Sequence, residues 1–149
     1  MANSRYKSAW NLFAQGRIAW RSQGGSTIRA MFIDALVYRP STATDSMLSD
    51  IPVNARIGNG GLKNRQSAPA LELIDPVDGG VCDAEDIVFH NIPVGTNIDY
   101  LILFADVGKS DSTSPLIAIL DAAVGLPVVA NGEDISVTWD NGPNKILRL

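Results

Sequence analysis

The strongest constraint on this chain is the brevity of its apolar runs and the turn formers that bound each of them. Tyr100-Leu101-Ile102-Leu103-Phe104-Ala105 and Leu116-Ile117-Ala118-Ile119-Leu120 are continuous apolar stretches of strand length. Such runs predict strands buried on both faces, joined by a hairpin loop over Gly108–Pro115. Elsewhere the period is two. Ile28, Ala30 and Phe32 alternate with Thr27, Arg29 and Met31, which predicts a half-buried strand over 27–34. Arg17–Arg21, Ala55–Ile57, Ala70–Ile74, Ile87–His90, Ile135–Trp139 and Lys145–Leu149 are shorter strand candidates. Turns are expected at Gln23–Ser26, Pro40–Ser46, Pro93–Asn97 and Asp140–Asn144, with a single helical turn at Met47–Ile51. Seven or eight short strands at this spacing predict a mainly β, antiparallel β-sandwich, jelly-roll or immunoglobulin-like.

One amphipathic helix precedes the strands, over about residues 5–15. Ser4 is its expected N-cap and Gly16 its stop, with Tyr6, Trp10, Phe13 and Ala14 on one apolar face. At 149 residues and 46% hydrophobic, the whole chain, 1–149, suits a single domain with one core. The exception to regular patterning is an irregular excursion over about 40–80, rich in glycine and proline, which is a candidate contact region. No run reaches membrane-spanning length, and the opening MANSRYKSAW lacks the apolar core of a secretory signal. The lone cysteine, Cys82, has no intramolecular partner.

Charge is sorted along the chain. Through Ala30 there are five bases (Arg5, Lys7, Arg17, Arg21 and Arg29) and no acid; the remainder has 7 bases and 16 acids, a balance of −9. A basic segment on an acidic body marks contact with something negative. That could be nucleic acid, which overall acidity disfavours as a sequence-independent partner, or the acidic body of a neighbouring copy; a solvated basic face on a short helix is the alternative. Arg5, Lys7, Trp10, Arg17 and Arg21 are therefore the candidate partner-binding residues.

Catalytic patterns are weak. His90 is the only histidine and ends an apolar strand, which suits a structural role. No nucleophile motif surrounds a Ser or Cys, and the acids beside Cys82 are expected to raise its thiol pKa. The acidic stretch Asp75, Asp78, Asp83, Glu85, Asp86 lacks the alternating ligand spacing of a calcium loop. Gly58-Asn59-Gly60-Gly61-Leu62-Lys63 lacks the ending and setting of a phosphate loop. These patterns predict no enzymatic activity, no catalytic residue, no cofactor and no metal.

Three segments also resemble a known family: Ala9–Gly16 with Ile18-Ala19-Trp20 and Thr27–Asp34; Leu48–Arg56; and Gly125–Gly142. Together they are similar to small structural proteins of tailed bacteriophages. The resemblance implies a virion component on the capsid exterior, assembled in the bacterial cytoplasm. It points to a decoration, or cement, protein that binds the major capsid protein and contacts its own copies, with neither nucleic acid nor membrane as partner. A neck, tail or fibre-associated host-binding module is the alternative.

Overall fold

The computed structural model describes residues 4–77, 79–107, 110–120, 126–139 and 145–148. The chain is mainly β. In order, its elements are strand β1 (Ser4–Arg5), helix α1 (Lys7–Ala14), β2 (Ile28–Ile33), β3 (Arg56–Ile57), β4 (Leu73–Val77), β5 (Val81–Ala84) and β6 (Ile87–Phe89). Then follow β7 (Asn97–Ile98), β8 (Tyr100–Ala105), β9 (Leu116–Leu120), β10 (Val128–Val129), β11 (Ile135–Val137) and β12 (Leu147–Arg148). They form a five-stranded sheet in the order β1-β9-β8-β2-β3, a three-stranded sheet β12-β5-β4, and two ribbons, β10-β7 and β11-β6. Every pairing is antiparallel.

The two apolar runs are the centre of the large sheet. All six residues of β8 are buried, as are four of the five in β9. β8 pairs along its whole length with β2, from Ile28 opposite Ala105 to Ile33 opposite Tyr100. The half-buried expectation for β2 is corrected: five of its six side chains are buried, and only Arg29 is half-exposed. Alternation predicted one wet face, but both faces of β2 are covered. Phe32 of β2 stacks on Phe89 of β6, ring centroids 3.9 Å apart and planes 27° apart, so the large sheet packs directly against the β11-β6 ribbon.

The N-terminal segment departs from expectation in three places. Ser4 does not cap the helix; Ser4 and Arg5 pair with Ile119 and Ala118 of β9, and the Tyr6 N–H continues the ladder by donating to the Ile117 carbonyl, 2.9 Å. Sheet pairing satisfies more backbone groups here than one extra helical turn would. The helix therefore begins at Lys7, without a side-chain cap. At its other end Gly16, at φ +73°, supplies the left-handed residue that ends it. Of the expected apolar face, Tyr6 is buried and Trp10 and Phe13 are half-buried, but Ala14 is exposed. Finally, Arg17–Arg21 forms no ladder. Its burial still alternates, with Ile18 and Trp20 inside, and the Trp20 indole N–H donates to the Asp83 carbonyl at 2.9 Å.

Between β2 and β4 the chain turns through short 3-10 segments, Leu48–Asp50, Val53–Ala55, Asn59–Gly61 and Arg65–Ser67. The helical turn expected at 47–51 is thus present. So is the strand candidate at 55–57, shortened to β3; the 70–74 candidate shifts to β4. The hairpin connecting β8 to β9 contains a 3-10 turn at Asp111–Thr113. The turn expected at Asp140–Asn144 lies outside the described residues, as does Asp78.

Candidate interaction surface

The surface is defined by what happens to the cations. Arg29, Arg65 and Arg56 alternate with Asp106 and Asp111 in a continuous charged chain. Arg29 Nε lies 2.9 Å from Asp106 Oδ2, and Arg65 Nε 2.8 Å from Asp106 Oδ1. Arg65 Nη1 lies 3.1 Å from Asp111 Oδ1, and Arg56 Nη1 2.7 Å from Asp111 Oδ2. Arg56 is 2% exposed; it also donates to the carbonyls of Leu48 (2.9 Å) and Ile51 (2.8 and 3.1 Å). Burial opposes ionisation of Asp111, but the Arg56 and Arg65 guanidiniums outweigh it and hold the carboxyl below the ordinary carboxylate range. This chain bolts the 48–67 region to β2 and to the loop after β8. It was not legible in the sequence, because its members are brought together from separations of up to 77 residues.

The N-terminal cations have a different fate. Arg5 is exposed on β1, the edge strand of the large sheet, and its guanidinium carbon lies 5.1 Å from the Trp10 ring centroid, within cation–π range. Trp10 in turn meets Phe13 edge-on, centroids 5.8 Å apart at 70°. Lys7 and Arg17 are exposed, and neither side chain has a hydrogen-bond or ion-pair partner among the described residues. The structure thus joins Arg5 to Trp10 and sets Lys7 on the same helix. Arg21 lies apart from this group. Its guanidinium donates to the Gly24 carbonyl, 3.1 Å, and its neighbour Ser22 donates its backbone N–H to Asp75 Oδ1, 2.7 Å. Those residues, with Gln23 and Pro76, line a recess of about 390 Å³. The bond from Ser22 holds the Asp75 carboxyl below its ordinary range.

The remaining sequence candidates take structural places. His90 Nδ1 lies 2.9 Å from Asp134 Oδ2, while the N–H groups of His90 and Asn91 donate to Asn59 Oδ1 and Asp134 Oδ1. Three loops meet there. Cys82 is buried, and burial rather than the neighbouring acids pushes its thiol up to about 12. Of the acidic stretch, Asp75 lies in β4, Asp83 in β5, and Glu85 and Asp86 between β5 and β6. Among the described residues no group of three or more His, Cys, Asp or Glu is arranged to hold a metal ion, and no helix is long and apolar enough to cross a membrane.

A second surface lies within the 40–80 excursion that the sequence marks as a candidate contact region. β4 is an edge strand of the three-stranded sheet, with Ile74 39% and Val77 58% exposed. The Glu85 N–H donates to the Glu72 carbonyl at 2.9 Å, so two exposed acids adjoin there. Alternation along the strand, with Leu71 and Leu73 turned inward, sets Ile74 on the outer face with Glu72; a register shift follows between Ile74 and Val77.

Comparison with known protein families, curated proteins and solved structures finds no match for this chain.

Proposed function

We propose that this chain is a non-enzymatic structural protein of a tailed-bacteriophage virion, a capsid decoration protein that binds the exterior of the major capsid shell and contacts its own copies. The observation that supports it most is the fate of the cations. The buried arginines are paired with carboxylates, and Arg56 with carbonyls as well, whereas Arg5, Lys7 and Arg17 stand exposed, Arg5 beside the half-buried Trp10. Exposed like charges with no counter-charge favour an acidic partner. Many copies on a lattice would make each weak contact effective. In this reading the fold is an antiparallel β-sandwich whose layers meet at Phe32 and Phe89. Its rigidity comes from the charged chain and the core rather than from disulfides or metals.

Copy number per purified particle, measured by mass spectrometry against the major capsid protein, tests the reading. Hundreds of copies are expected. A handful of copies would favour the neck, tail or fibre alternative, and absence from the particle would overturn the virion reading.

A further inference from the structure

Two exposed surfaces of this chain have opposite charge and matching apolar content. The first is the N-terminal segment, where Arg5 lies 5.1 Å from the Trp10 ring, exposed Lys7 shares helix α1 with half-buried Trp10 and Phe13, and exposed Arg17 follows the helix. The second is the open edge of β4, where Ile74 and Val77 are exposed beside Glu72 and Glu85. Neither of these two acids has a side-chain partner among the described residues, and like charges held side by side are destabilising until a cation arrives. The surfaces lie on different sheets, β1 bordering the five-stranded one and β4 the three-stranded one. No ion pair joins them within the described residues.

An edge strand with exposed apolar side chains invites association, but Pro76 lies within β4 and cannot donate to an added strand. The contact that fits is therefore made by side chains, with cations over carboxylates and rings over Ile74 and Val77. Asp75 on this strand already accepts the Ser22 N–H of its own chain, so the carboxylates left for a second copy are Glu72 and Glu85.

We infer that the N-terminal edge of one copy docks on the β4 edge of a second copy, joining copies head to tail. This names the partner of the surface proposed above and rests on that reading for its biological setting. A contact between two different patches is heterologous, so it closes into a ring or extends. It is electrostatic and weakens with salt.

Sedimentation velocity of the purified full chain tests it. At about 50 mM salt, where the Debye length exceeds 10 Å, we expect concentration-dependent assembly that dissolves at about 500 mM. The R5E/K7E/R17E variant and the E72K/E85K variant should each be monomeric, and mixing them should restore assembly because each supplies the complement of the other. Near-UV circular dichroism checks folding, and the single changes K7E and E85K replace any multiple variant that fails it, with weakened assembly expected of each. A monomeric wild type at low salt overturns the inference, as does assembly indifferent to either set of changes, or a mixture that stays monomeric. If R5E/K7E/R17E detaches from particles while the free wild type is monomeric, the edge serves the shell: the inference fails and the virion reading survives. If the protein assembles as expected but is absent from particles, the reverse holds.

Discussion

The N-terminal edge and the 48–67 region use the same side chains in opposite ways. In the second, Arg56 and Arg65 are buried, and Arg56 and Arg65 share Asp111 while Arg65 and Arg29 share Asp106. In the first, Arg5, Lys7 and Arg17 are exposed, and among the described residues only the Arg5 side chain meets a partner, the Trp10 ring. A guanidinium taken out of water must be matched by carboxylates and carbonyls or the fold does not tolerate it. One left in water contributes little to stability and remains available to a partner. The difference separates residues that hold the fold from residues that can bind.

That separation can be broken by experiment. The largest effect is expected from Arg56→Ala, which takes the guanidinium donor from the Ile51 carbonyl and one of its two arginines from Asp111. Loss of about 3–5 kcal/mol is expected from breaking a buried pair, read as a lower urea midpoint. Phe89→Ala should cost a similar amount, about 3–5 kcal/mol, by removing the ring stacked on Phe32. If it costs less than about 1 kcal/mol, the packing between the large sheet and the β11-β6 ribbon is not a main support of the fold.

A pH titration sharpens the comparison. Asp111 has a folded pKa below its unfolded value of about 3.9. Its contribution is therefore complete above that unfolded value and is lost as pH falls through the folded one. Asp50 behaves likewise, because its carboxylate accepts the Met47 and Ser46 N–H groups. Thermal midpoints measured from pH 7 to 2 should fall mainly below pH 4, and the fall should be shallower in Asp111→Asn. At the small end, Lys7→Glu or Arg17→Glu should change stability by no more than about 0.5 kcal/mol, even where assembly is lost. Tyr6→Phe should be neutral or stabilising. The Tyr6 hydroxyl is buried without a partner, and burial with nearby Asp45 raises its pKa, so deleting it removes an unsatisfied group. A clear destabilisation would show that the hydroxyl holds a partner, such as an ordered water.

Legibility followed the range of the interactions. The runs Tyr100–Ala105 and Leu116–Leu120 were readable as doubly buried strands because five or six apolar residues between turn formers have few other fates. Gly16 was readable as a helix stop because positive φ is a local demand. Ser4 was misread because its fate depends on Ile119, which is distant in sequence. Charge order alone marked Arg5, Lys7 and Arg17, and all three are exposed. Arg21 belonged to that group in sequence but not in space, because the bond from Ser22 to Asp75 ties its segment to β4.

By itself, the sequence determined a β-rich fold with one short helix, its two central strands, and a basic start on an acidic body. These follow from local periodicity, turn chemistry and composition, each of which acts over a few residues. Only the tertiary structure decided which arginines are buried, that Ile74 and Val77 remain exposed on an edge, and that Phe32 meets Phe89. Those outcomes depend on register and packing between segments tens of residues apart, where a shift of one residue turns a side chain from core to solvent.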